Sequence, residues 1–146
     1  MRNKPNSALL CGAALSAFAA FLHLCIIVGG GPWYRFFGAG EGMAAAAEAG
    51  SLYPALITAG IACVLAGWAA YALSGAGLIR RLPWCKAALC LITAIYLLRG
   101  LALFPAWLFV PQQVGSFEIW SSLICLAYGL THALGLWQVW PQFKQV

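Results

Sequence analysis

Few side chains in this sequence can do chemistry, and several of those sit in apolar surroundings. His23 lies inside a long apolar run, and Tyr96 and Arg99 lie inside another. Glu118 stands at the start of a third run, while Tyr34, Arg35, Glu41 and Glu48 share one connecting segment. Histidine can donate, accept or shuttle a proton near neutral pH. A guanidinium meets an anionic group through charge-assisted hydrogen bonds. Ionisable residues within an apolar span are functional candidates by default. Together these eight residues suit a polar pocket that binds or transports a lipid or small amphiphile, with the Tyr34–Glu48 segment as its lid. An enzyme acting on a lipid-like substrate is the alternative. His23 would then be the acid or base, a Glu its partner, and Arg99 the charge stabiliser. No nucleophile is placed beside His23, so no catalytic residue is assigned. A third alternative is an accessory subunit whose polar faces serve only helix packing.

Other chemistries fit poorly. The six cysteines form no Cys-x-x-Cys motif. The chain is similar to four-helix quinone-linked thiol oxidoreductases in span count alone, and its cysteines read as small apolar packers. His23 and His132 differ in depth by roughly 15 Å on a helical rise, which argues against one haem between them. His23, Glu41, Glu48 and Glu118 would need the loop to fold inward to hold zinc. Neither a cofactor nor a metal is therefore expected. The chain is also similar to small multidrug transporters in size and span count, but its first span carries His23 where theirs carries a Glu.

The elements that hold these residues follow from composition. Apolar residues make up 64% of the 146-residue chain and charged residues 8%, so its outside must be solvated by lipid. Eight scattered Lys and Arg form no basic stripe, which excludes nucleic acid as a partner. Four runs reach the roughly 20 residues needed to cross a bilayer: about 7–28, 52–73, 83–104 and 117–139. The first ends at Gly29-Gly30-Gly31-Pro32 and the third at Pro105. Ala17-Phe18-Ala19 matches a signal-cleavage pattern, but the apolar run continues to Val28, and a retained span is expected. In the second run, Ser51 suits an N-cap and Pro54 the first turn.

Polar and small residues fall on single faces. Glu118, Ser122, Cys125, Gly129 and His132 recur at helical spacing, as do Gly12, Ser16, Ala19 and His23. Thr93, Tyr96, Arg99 and Gly100 cluster on the third span, and Ala59, Cys63 and Gly67 form a small-residue stripe on the second. His23 and Arg99 each lie ~24 Å above the inner end of their span. Glu118 lies on the neighbouring span, and an Arg99–Glu118 ion pair, or one ligand shared by both, is expected.

Arg2, Lys4, Arg80, Arg81, Lys86 and Lys144 fall on one side, and Arg35, Arg99 and all three acids toward the other. Both termini are therefore expected in the cytoplasm, in the bacterial inner membrane. Trp33, Tyr34, Phe36 and Phe37 suit an outer aromatic belt, and Trp84, Trp137 and Trp140 an inner one. Lipid leaves helices as the spanning form. The expected fold is all-α: one up-down four-helix membrane domain over residues 1–146, open to homo-oligomer formation. A short interfacial helix over Glu41–Ala49 is expected in the first outer loop.

Overall fold

In the computed structural model, residues 4–143 are described. Arg2 and Lys144, used above for orientation, lie outside the described residues. The described chain forms helices α1 (Ser7–Phe36), α2 (Glu41–Glu48), α3 (Tyr53–Gly75), α4 (Cys85–Leu101), α5 (Leu103–Phe109) and α6 (Ser116–Val139), with short 3-10 turns at Pro111–Gln113 and Trp140–Phe143. No strand occurs among the described residues. Four helical stretches are long and apolar enough to cross a membrane: Ser7–Phe36, Tyr53–Gly75, Cys85–Phe109 and Ser116–Phe143. Their outward side chains are large and apolar; Val28 is 89% exposed and Trp137 74%. In water such a surface would aggregate, whereas hydrocarbon solvates it.

The local starts and stops have identifiable causes. Asn6 caps α1, its Oδ1 accepting from Leu9 N–H at 2.8 Å. Ser51 stands one residue before the N-cap of α3, which is Leu52, rather than at it; its Oγ accepts from Tyr53 N–H at 3.3 Å. Gly30 departs from helical geometry at φ 63°, a conformation open mainly to glycine. It kinks α1, and Gly31–Phe36 continue as helix beyond it. Pro32 does not end the run, because it stands early in the new helical segment where its missing N–H costs little. Pro105 likewise does not end the third run. It falls in the first turn of α5, so the apolar helix reaches Phe109 rather than Phe104.

The chain divides into two compact units by its contacts. The smaller covers residues 17–67, and its core gathers Ile26, Tyr34 and Ala44 with Phe37, Met43 and Ala47 at the edge. The larger comprises the residues up to Ser16 and those from Trp68 onward. Leu9, Ala13, Ala72, Ala76, Cys85, Leu89, Leu136 and Val139 form its core. Within it α4 lies along α6 so closely that a methyl at Gly100 would meet the Leu126 backbone nitrogen at 2.7 Å. Gly129 meets Leu97 in the same way. Such contacts between small residues let apolar helices gain dispersion energy where water supplies no hydrophobic drive. Asn6 ties further elements of this unit together, donating from its backbone N–H to Ala76 O at 3.0 Å and from Nδ2 to Gln138 Oε1 at 2.7 Å.

The expected face of α3 and the packing role of the cysteines need correction. The packed face of α3 is Pro54, Thr58, Ala62, Leu65, Ala69 and Ala72, not Ala59, Cys63 and Gly67. Cys63 is exposed and Gly67 faces open space. Alanines at the correct spacing read as neutral filler in an apolar run, while Gly and Cys drew attention on a neighbouring face. Cys85 does pack in the core, but Cys11 and Cys63 point outward.

Candidate functional site

Within the smaller unit, the segment after the Gly30 kink folds back on itself. Its centre is Arg35, whose guanidinium meets two carboxylates. Nε and Nη2 donate to Glu41 at 2.8 and 2.6 Å. Nη1 and Nη2 donate to Glu48 at 2.5 and 2.9 Å. Each contact is bidentate, the geometry for which a planar guanidinium is suited. Helix α2 makes this possible: its first and last residues lie seven apart, so both carboxylates leave one side of two helical turns. Gly31 completes the fit, since a side chain there would occupy the space of the Glu48 carboxylate. Hydrogen bonds from Arg35, and secondarily its charge, hold both carboxyls below the usual carboxylate range.

Tyr34 locks the same segment from below. It is 2% exposed, packs with Ile26 and Ala44, and accepts a hydrogen bond from Thr58 Oγ1 at 3.2 Å. That corrects its assignment to the aromatic belt: its hydroxyl has a buried partner, so the ring turns inward. Trp33 and Phe36 remain exposed. His23 belongs to this unit as well. Its Nδ1–H donates to Ala19 O at 2.7 Å, which leaves Nε2 the acceptor nitrogen of the neutral ring. Nε2 has no partner among the described residues.

The remaining candidates belong to the larger unit. Arg99 and Glu118 do not form the expected pair. Arg99 Nη1 donates to Ser122 Oγ at 2.9 Å and Nη2 to Ser121 Oγ at 3.0 Å. Glu118 Oε2 accepts instead from the Gly115 N–H at 2.9 Å. The reason is local. The first turn of a helix has unpaired N–H donors, and a Glu at its third position reaches back to them at little entropic cost. The serines one turn further along α6 then meet the guanidinium.

Tyr96 sits in a buried cluster that the helical stripes foreshadowed without naming. Its hydroxyl shares a 3.1 Å hydrogen bond with Ser16. Trp68, Tyr128 and His132 surround its ring at centroid distances of 5.0, 5.4 and 5.3 Å. His132 is fully buried and donates through Nδ1–H to Tyr128 O at 2.9 Å. Its Nε2 is buried without a partner. Gly12 creates the room for the ring, because a methyl there would lie 2.8 Å from Cε1.

The larger unit also carries two open clefts. One, of about 410 Å³, is lined by Arg81, Leu82, Trp84, Lys86, Cys90 and Phe143 among others. The second, of about 320 Å³, is bounded by Thr93, Ala133, Trp137 and Trp140. Neither contains any of the eight residues singled out from the sequence.

No family model, no curated protein and no solved structure matches this chain. The functional reading therefore rests on the chain's own residues. The structure brings Arg35, Glu41 and Glu48 into one cluster with Tyr34 at its base, in the unit that holds His23. Tyr96, Arg99 and Glu118 belong to the other unit, each with a hydrogen-bond partner there.

Proposed function

We propose that this chain is an up-down four-span protein of the bacterial inner membrane that binds or carries a lipid or small amphiphile. Both termini lie in the cytoplasm in this reading, and α2 lies along the outer interface. The observation that supports it is the clamp of Arg35 between Glu41 and Glu48. It ties the two ends of α2 back to Arg35 at the solvent-exposed surface, which supports reading the segment from Gly31 to Gly50 as a cap. A cap held by one central guanidinium can close and reopen as a body. His23 lies below it, seven residues before the kink, roughly 10 Å along the helix.

The chemistry narrows the ligand. Arg35, Glu41 and Glu48 sum to −1, from one positive and two negative charges. Four guanidinium hydrogen bonds are already made, so little donor capacity is left for an anion. His23 offers an acceptor nitrogen. Both features favour an amphiphile whose head donates hydrogen bonds, such as a hydroxyl or amine, over an anionic one. The internal pairing of Ser16 with Tyr96, and of Arg99 with two serines, favours a packing role for those residues.

The test is to purify the full chain in a mild detergent, extract it, and identify bound molecules by mass spectrometry. The proposal expects one amphiphile class with a donor head, in near-stoichiometric amount and unaltered by prolonged incubation with the protein. Turnover of that molecule would favour the enzyme reading with His23 as acid or base. A detergent-only extract, or bulk membrane lipid in its native proportions, would contradict the proposal.

A further inference from the structure

All three side-chain carboxylates of the chain lie among the described residues, and none serves the cations near the cleft of the larger unit. Glu41 and Glu48 are engaged by Arg35, and Glu118 by the backbone of Gly115. Arg81 and Lys86 instead lie over aromatic rings. The Arg81 guanidinium is 4.7 Å from the centre of Phe143, and Lys86 Nζ is 4.2 Å from that of Trp140. Cation–π contact orients an ammonium or guanidinium without neutralising it. Two positive charges therefore stand at an apolar cleft, and among the described residues no carboxylate is paired with either. The two clefts share this motif: Lys86 lines the first and Trp140, beneath it, lines the second. Cys90 and Phe143 line the first cleft, and Thr93, Ala133 and Trp137 the second.

We infer that this cleft is a binding site for an anionic phospholipid, its phosphate between Arg81 and Lys86 and an acyl chain laid along the groove. A lipid meets both requirements at once, charge at the rim and hydrocarbon in the trough. A volume of about 410 Å³ lies within the range of ligand sites, and basic pockets between membrane helices take such headgroups. Its location and charge preference separate it from the amphiphile of the capped unit, so either site can fail without the other.

The test uses the full chain in a neutral detergent and native mass spectrometry. The probes are phosphatidylglycerol and phosphatidylcholine of identical acyl chains. Wild type should bind phosphatidylglycerol preferentially. A juxtamembrane cation contributes about a fivefold effect, so Arg81→Gln with Lys86→Gln should weaken that binding roughly thirtyfold. Arg80→Gln with Lys4→Gln removes the same net charge outside the cleft and should leave the preference largely intact. Both cleft side chains are exposed, so the double variant should keep wild-type helix content. Inorganic phosphate at tens of millimolar should not displace the bound lipid, because it lacks the acyl chain. The inference is overturned by equal affinity of wild type for the two lipids, by undiminished phosphatidylglycerol binding in the cleft variant, by equal loss in the control variant, or by full displacement with phosphate.

Discussion

Arg35 is where the charges of the segment around α2 resolve, and its neighbours predict a pH profile. Glu41 and Glu48 carry carboxyls depressed below the ordinary value of 4.5 by its hydrogen bonds. A depressed acid contributes its stabilisation above the unfolded value and loses it as pH falls through the lower folded value. The cap should therefore hold from pH 8 to about 5 and loosen only below the ordinary carboxylate range. A nitroxide at the exposed Ala45, in a cysteine-free background, should show unchanged mobility across the upper range and rising mobility in acid. An onset between pH 6 and 7 would mean that histidine, not the clamp, controls the cap. Gly12 supports a second prediction. His132 is fully buried, so its ring cannot yield to a new methyl. Gly12→Ala should cost about 1–3 kcal/mol by overpacking, read as a lowered unfolding midpoint in detergent.

Among the helices, the informative comparison is between two glycines that both face open space. Gly30 has φ 63° and no heavy atom near its would-be Cβ. Gly30→Ala should thus act through the backbone alone, at a cost of about 1–3 kcal/mol, because φ 63° with ψ −152° is a region nearly confined to glycine. Gly60 faces open space inside the regular helix α3. Gly60→Ala should be neutral or stabilise by roughly 0.5–1 kcal/mol. Equal effects of the two changes on thermal unfolding would contradict the kink. What the sequence made readable here follows from physical cause. Spans and the α2 helix rest on local pattern, and the residues alone conveyed them. The Arg99 partner, the inward turn of Tyr34 and the true face of α3 depend on which of several equal-looking neighbours is nearest in space. Periodicity carries no information on that. The clamp lay between: Glu41 and Glu48 were readable as one face, but nothing in their spacing chose Arg35 over Arg99 as their cation.

The molecule as a whole has an uneven charge distribution. Residues 17–67 sum to −1 from Arg35, Glu41 and Glu48. The remainder sums to +6, from seven cations and Glu118. If the positive-inside rule sets orientation, reporter fusions should place Arg80 in the cytoplasm and Glu41 outside. The reverse would invert the sidedness of the proposed cap while leaving its geometry intact.

The central claim is that the capped unit binds one amphiphile, with His23 supplying the acceptor and Arg35 holding the cap. Native mass spectrometry of the full chain, as wild type, His23→Ala and Arg35→Gln, tests it most directly. The wild type should carry a single adduct of defined mass. That adduct should be strongly reduced in both variants, with folded charge-state distributions throughout. An adduct that persists undiminished in both variants, or a wild type carrying none, would contradict that claim.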